Sequence, residues 1–307
     1  MLKYGTIILK EFHRKRLSFE EVFRLMARGK KHGAPLRWML FLGLMAIPAI
    51  YLQMSFWAAG KQSASIHFVG LEEADAIVVQ SGGQVMLVDT GTPEDEQLLL
   101  SSLDALGIDR IDLLVLTHPD KDHIGGAKTV LETYSVAKIL MSSAKKGSQL
   151  EEDLLTQIDK EQIPVEYPEE TDPVFSLGDC SVRIYAGEKD DYEQINNSSI
   201  ALLITCGNRR VFLAADMENA RMAEMIFDDP IECDVLKLPH HGEDEELSAA
   251  FLKTLDPDIC IVTAPQAGVA TTRMMQQLGC EVYYTAQGEV DLLIQKNLIE
   301  RGQRKID

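Results

Sequence analysis

Between residues 66 and 295 the hydrophobic positions follow two rhythms. Short runs of Val, Ile and Leu bounded by Gly, Asn or Asp read as strands; apolar residues three and four apart read as helices. Strands are expected over 75–80 and 84–88, with Ser81-Gly82-Gly83 as the hairpin turn between them. Residues 94–106 have helical spacing (Leu98, Leu99, Leu103, Leu106) and stop at Gly107, and residues 111–116 read as a buried strand. A more polar middle follows, with a helix over 148–160 and strands near 174–175 and 182–185. Strand–turn–strand then returns over 200–205 and 211–214, across Gly207-Asn208. After it come a helix at 219–227, a strand at 235–238 and a helix at 245–255. Strands at 259–262 and 282–284 flank a helix near 272–278. Such alternation predicts α/β layers and not an all-β sandwich. Residues 61–65 read as a short linker and 296–307 as a polar tail.

The pattern repeats itself once. Gln84-Val-Met-Leu-Val-Asp89 is echoed by Arg210-Val-Phe-Leu-Ala-Ala-Asp216, an apolar strand ending in Asp. Asp112-Leu-Leu-Val-Leu-Thr-His118 is echoed by Asp234-Val-Leu-Lys-Leu-Pro-His240, an apolar strand ending in His. Two similar halves packed face to face would bring Asp89, His118, Asp216 and the His240-His241 pair to one rim.

Upstream the chain is a different object. Residues 1–37 hold ten Lys and Arg against three Glu, a net of +7, which leaves −25 for the rest of a chain at −18. Residues 38–60 carry no charge and have Trp38 and Trp57 near their ends. Twenty-three such residues suffice to span a bilayer core of about 30 Å. An uncleaved single-pass anchor in the plasma membrane is expected, the basic segment cytoplasmic and the acidic remainder exported. A cleaved signal peptide, with small residues at Ala58, Ala59 and Gly60 or at Ser63-Ala64-Ser65, is the competing reading. The five cysteines show no C-x-x-C spacing and suggest neither a zinc ribbon nor a disulfide framework; Cys206, Cys233 and Cys260 read as small core residues.

The strongest chemical signal is Thr117-His118-Pro119-Asp120-Lys121-Asp122-His123-Ile124-Gly125-Gly126. Two imidazoles and two carboxylates within six residues, just after a buried strand, are costly to pack unless a cation sits among them. A divalent metal site explains that density, since imidazole and carboxylate are its ordinary ligands. The second cluster, Pro239-His240-His241-Gly242, falls where the internal echo places it.

These stretches, together with Phe68-Val69-Gly70, Asp75-Ala76-Ile77, Leu87-Val88-Asp89-Thr90-Gly91, Asn197-Ser198, Ala215-Asp216 and the Leu236-Lys237-Leu238 that leads into the second cluster, resemble the metallo-β-lactamase superfamily. Within it, the likeness is to the hydrolase domain of ComEC-type competence proteins and covers about residues 66–295. The resemblance implies a four-layer αββα sandwich with a binuclear site at one edge, here preceded by the transmembrane helix. His118 and Asp120 would serve one metal and Asp122 and His123 the other; Asp216 would bridge, and His240 or His241 would complete the set. Asp89 would support the site from behind, and Asn197, where many members use His, would be a weak ligand or a substrate contact. Two divalent ions, zinc or else manganese or iron, would acidify a bridging water. A metal-bound aspartate such as Asp122, or whichever of His240 and His241 is not a ligand, would relay a proton to the leaving group. The chain departs from such relatives in having Glu243 for Ser after His-His-Gly, then Asp244-Glu245-Glu246, and Ala264-Pro265-Gln266 where relatives carry Tyr-Gly-His-Pro. The acidic run reads most simply as carboxylates at a helix N-terminus.

Hydrolysis of phosphodiesters is the favoured expectation, in a nucleic acid, a small molecule or the cell wall. The charge of −25 disfavours DNA, whose binding comes mostly from neutralising phosphates. The alternatives are an ester, amide or lactone hydrolase, or an inactive surface protein that keeps the fold.

Overall fold

The computed structural model describes residues 63–168, 174–187, 192–295 and 297–304. The basic segment and the uncharged run 38–60 lie outside the described residues, so the expected membrane helix is not among them. Among the described residues no helix is long and apolar enough to cross a membrane.

Two mixed sheets carry the fold. The first is built from β1 (Ser63–Phe68), β2 (Ile77–Ser81) and β3 (Gln84–Val88), with the short β4 (Arg110–Ile111) leading into β5 (Leu113–Leu116). After β6 (Ser135–Val136), which pairs only with β4, come β7 (Ile139–Met141) and β8 (Val165–Glu166). The second sheet comprises β9 (Val174–Leu177), β10 (Cys180–Tyr185), β11 (Ala201–Cys206), β12 (Arg209–Leu213), β13 (Val235–Lys237), β14 (Ile259–Val262) and β15 (Glu281–Tyr284). A final hairpin, β16 (Glu289–Gln295) and β17 (Leu298–Arg304), returns to the first sheet, whose order is β17-β16-β1-β2-β3-β5-β7-β8. The second runs β15-β14-β13-β12-β11-β10-β9.

Among the described residues the α-helices are α1 (Glu96–Ala105), α2 (Lys121–Ile124), α3 (Ala127–Thr133), α4 (Gln149–Glu161), α5 (Asn219–Phe227), α6 (Ser248–Leu255) and α7 (Val269–Leu278). Alternation along the strands sorts the core into three apolar slabs. Met86 and Val88 of β3 and Val211 and Leu213 of β12 face each other between the sheets. Leu87 and Leu114 pack outward against Leu99 and Leu103 of α1 and Leu154 of α4. Phe212 and Leu236 pack outward against Met222 of α5 and Phe251 of α6. Three slabs between four layers make an αββα sandwich.

The internal echo is real in three dimensions. β3 pairs parallel with β5, and β12 pairs parallel with β13. Asp112 accepts from the Val85 amide at 2.9 Å, and Asp234 accepts from the Arg210 amide at 2.7 Å, the same contact made at the same place in each half.

Three expectations need correcting. The stretch 61–65 is not all linker, since Ser63–Phe68 forms β1 between β2 and β16. The stretch 296–307 is not all tail, since Leu298–Arg304 pairs along the whole of β16. Cys180 and Cys206 form a disulfide that joins the adjacent strands β10 and β11, their Cα atoms 4.5 Å apart. Cys233 and Cys260 are buried free thiols.

Candidate metal centre

The loops after β3, β5, β12 and β13 meet at one edge. Asp89, Ala215, His240 and His241 all adopt left-handed backbone, with φ between 46° and 58°. For residues other than Gly this costs about 1–2 kcal/mol each. Gln162 and Asp256 are the other such residues described, and both cap helix C-termini. Strain of this kind persists only where the surrounding packing holds it, and it tends to cluster at functional sites. A Cβ on Gly125 would lie 2.4 Å from the Thr92 carbonyl carbon, and one on Gly126 would lie 2.6 Å from the Thr90 oxygen. The glycine pair thus lets the His118–His123 loop press onto residues 90–92, where the Thr90 amide donates to the His123 carbonyl at 2.7 Å.

Asp122, His123, Asp216 and His241 each offer a ligand atom, and all four atoms lie within 4.8 Å of one another. Asp216 Oδ2 is 3.2 Å from His123 Nε2, 3.3 Å from His241 Nε2 and 3.9 Å from His118 Nε2. Asp122 Oδ2 is 3.1 Å from His241 Nε2 and 3.5 Å from His123 Nε2. Buried Nε2 atoms of His118 and His123 make no hydrogen bond of acceptable geometry. Orphaned imidazole nitrogens that converge on carboxylate oxygens suit a divalent cation.

Behind these atoms the orientation of each ring is fixed. Asp89 is fully buried and its Oδ2 lies 2.8 Å from His123 Nδ1. The Asp89 carboxylate also accepts from the Thr117 amide at 2.8 Å and from the Thr117 hydroxyl at 2.7 Å. His241 Nδ1 contacts Thr263 Oγ1 at 2.9 Å. Lys237, 0% exposed, pairs with Asp75, donates to the Ala215 carbonyl at 3.1 Å and lies 3.5 Å from Asp216 Oδ1.

Burial alone would raise the Asp216 carboxyl, but the charges of His123, His241 and Lys237 hold it well below the usual carboxylate range. Burial would lower His123, yet the Asp216 and Asp89 carboxylates hold it well above the usual imidazole range. Burial, followed by the charge of His123, pulls His118 down to about 3, so it is the neutral imidazole that a metal needs. The cluster therefore attracts positive charge, as protons or as a metal ion.

Other expected residues stand apart. Asp120 pairs with Lys146, Oδ2 to Nζ at 2.8 Å, and its buried Oδ1 has no hydrogen-bond partner. Asn197 Oδ1 accepts from the Glu218 and Arg221 amides at 3.1 and 3.2 Å, so the side chain secures the start of α5 and its oxygen is not turned to the cluster. His240 turns to Glu218, Glu243 and Glu245, leaving His241 as the histidine of the pair that joins the four. Sequence reasoning gave no site role to Asp75, Lys146 or Lys237. For Lys237 there was a signal, a lone cation inside the apolar run of a buried strand.

A family model for the metallo-β-lactamase superfamily matches residues 69–263, and the chain belongs to that superfamily. Within it, the likeness to competence proteins holds. ComE operon protein 3 of Bacillus subtilis (strain 168) is 31% identical over 170 residues, covering 55% of this chain and 22% of that protein. Competence protein ComA of Neisseria gonorrhoeae is 23% identical over 237 residues, covering 72% of this chain and 28% of that protein. The chain thus spans about a quarter of the length of these relatives. Among solved structures, the metallo-β-lactamase fold protein YhfI from Bacillus subtilis matches 78% of this chain and 100% of its own, at 14% identity and a TM-score of 0.49.

Proposed function

We propose that this chain is a membrane-anchored, metal-dependent hydrolase that cleaves phosphodiesters outside the cytoplasm. The observation that carries the reading is the convergence of Asp122, His123, Asp216 and His241 on one point. These four would form the stronger cation site. His118, Asp120 and Asp216 would form the weaker one, because Lys146 competes for Asp120 and Asn197 is committed to α5. Zinc is favoured by the three imidazoles; the carboxylates on both sites leave room for manganese or iron.

The chemistry that such cations supply is acidification of water and neutralisation of charge at a phosphoryl centre. The chain's own groups do the rest. Asp89 and Thr263 hold His123 and His241 by their Nδ1 atoms, so that both Nε2 atoms face the reacting centre. Asp122, the least buried of the four, would accept a proton from water and return it to the leaving group.

Anchoring rests on the uncharged run 38–60 and its +7 flank, and the Cys180–Cys206 disulfide suits an oxidising compartment beyond that anchor. The charge of −25 on residues 38–307 favours a small or cell-wall phosphodiester over DNA. One second reading has its own observation: Lys146 on Asp120 and the engaged Asn197 suit a surface protein that keeps the fold without turnover. Incubating the metal-loaded chain with bis-p-nitrophenyl phosphate, a chromogenic lactam and a chromogenic lactone separates these readings. Turnover of the phosphodiester that is lost in Asp122→Asn supports the proposal. Turnover of the lactam or lactone alone replaces it, and turnover of none leaves the non-catalytic reading.

A further inference from the structure

A second group of metal-binding side chains lies beside the first and shares no residue with it. Glu218, His240 and Glu245 place one ligand atom each within 4.8 Å of one another. His240 Nδ1 is the hub: Glu218 Oε1 lies 3.9 Å away, Glu243 Oε2 3.8 Å and Glu245 Oε1 3.8 Å. Those separations are too long for hydrogen bonds. They are the spacing expected between ligands that share one cation at about 2.0–2.3 Å. Glu218 is only 7% exposed, and its Oε2, like His240 Nδ1, is a buried atom with no hydrogen-bond partner. Among the described residues no Lys or Arg forms an ion pair with Glu218, Glu243 or Glu245. Among the described residues the imidazole of His240 is thus the one side chain that ion-pairs with these three carboxylates.

The neighbourhood is built to hold this arrangement. His240 is kept in a left-handed conformation, and its amide donates to the Ala215 carbonyl at 3.0 Å. Asn196 donates to Glu218 Oε1 at 2.9 Å and lies 3.4 Å from His240 Nε2. Asn219 donates to Glu245 Oε2 at 2.6 Å and accepts from the Leu247 amide at 2.9 Å, tying that carboxylate to the start of α6. Asp244, between the two outer glutamates, is engaged elsewhere, accepting from the Ala270 and Thr271 amides at the start of α7 at 2.9 Å each. The acidic run therefore splits in two: Asp244 caps a helix, and its neighbours Glu243 and Glu245 face His240.

We infer that Glu218, His240, Glu243 and Glu245 bind a divalent cation of their own, with solvent-facing positions open to water or to an anionic group. Exposure supports the open side, since the Glu243 side chain is 62% exposed. The site lies next to the first, with the His240 and His241 rings 6.2 Å apart between centroids. It uses none of Asp122, His123, Asp216 or His241, so it stands or falls apart from the hydrolase reading.

The test uses the full-length chain and Mn2+ as the probe. Crystals grown with micromolar Mn2+ should show an anomalous peak between Glu218 and His240, separate from any at Asp122. In solution, Glu245→Gln and His240→Ala should each bind one Mn2+ fewer than wild type, or bind that ion about 10–100-fold more weakly. Asp122→Asn should retain it. Circular dichroism melting checks that the variants fold; Glu245→Gln keeps the volume of the side chain and is the milder of the two. No peak at that position, a peak only at tens of millimolar Mn2+, or unchanged stoichiometry and affinity in both variants would overturn the inference.

Discussion

The ammonium of Lys237 lies 3.5 Å from Asp216 Oδ1, while the other oxygen of the same carboxylate faces His118, His123 and His241. Lys237 is fully buried on β13, and its second partner is Asp75. Replacing it by Met would leave two buried carboxylates without their cation. Breaking a buried pair in this way costs about 3–5 kcal/mol. The melting temperature of metal-free Lys237→Met is expected to fall by on the order of 10 °C. Adding Zn2+ should recover part of that loss, because a ligand that binds only the folded state stabilises it. An unchanged melting temperature would show that Lys237 does not hold the two carboxylates.

Asp89 touches the site through the far side of the His123 ring and through Thr117. Loss of such a supporting contact lowers metal affinity by about 10–100-fold. Asp89→Asn should therefore release Zn2+ to a chelator at correspondingly lower chelator concentration, with the remaining donors unchanged. Equal retention in variant and wild type would remove Asp89 from the account.

The disulfide closes a stretch of chain with a sequence separation of 26. Loops of that length give about 3 kcal/mol through restriction of the unfolded chain. Urea denaturation should show about that loss for Cys206→Ser, and dithiothreitol should shift the wild-type midpoint but not the variant's.

Asp291 on β16 contacts buried His67 at 2.8 Å and Arg304 of β17 at 2.8 Å. Burial would raise its carboxyl, but the hydrogen bonds from His67 and Arg304 and their charges hold it below the usual range. A carboxyl depressed on folding contributes stability that is present above its unfolded value, about 3.9, and lost as pH falls through its folded value. The group is partly exposed, so solvent screening limits the effect to about 0.2–1 kcal/mol. Asp291→Asn should be less stable than wild type by that amount at pH 7, and the gap should close towards pH 2. A gap that widened in acid would contradict the assignment.

What was legible in the sequence follows from how local each signal is. Asp89, His118, Asp216 and His241 follow strands whose pattern is strong and repeated, so their meeting at one edge could be read from spacing. Asp75 and Lys237 could not be read this way. Lys237 stands out as a lone cation in the apolar run of β13, but nothing local names Asp75, which precedes β2, as its partner; only the approach of the two segments across the sandwich makes them a pair. β17 was missed because it is an edge strand in which only Ile299 is buried, so its sequence reads as polar. β1 was missed because Ser63 and Ser65 alternate with Ala64 and Ile66 in a strand whose start looks like the end of a linker. Cysteine pairing depends on which strands are neighbours, and spacing does not encode that. Asn197 was expected near a metal or substrate, and only the position of α5 shows that its oxygen caps a helix.

Isothermal titration of the metal-free full-length chain with Zn2+ decides whether Asp122, His123, Asp216 and His241 together hold a divalent cation. Wild type should bind at least one Zn2+ tightly, and His123→Ala and His241→Ala should each abolish that binding event while Asn197→Ala leaves it in place. Equal tight binding by wild type and both histidine variants, or no tight binding by wild type, would contradict such a site.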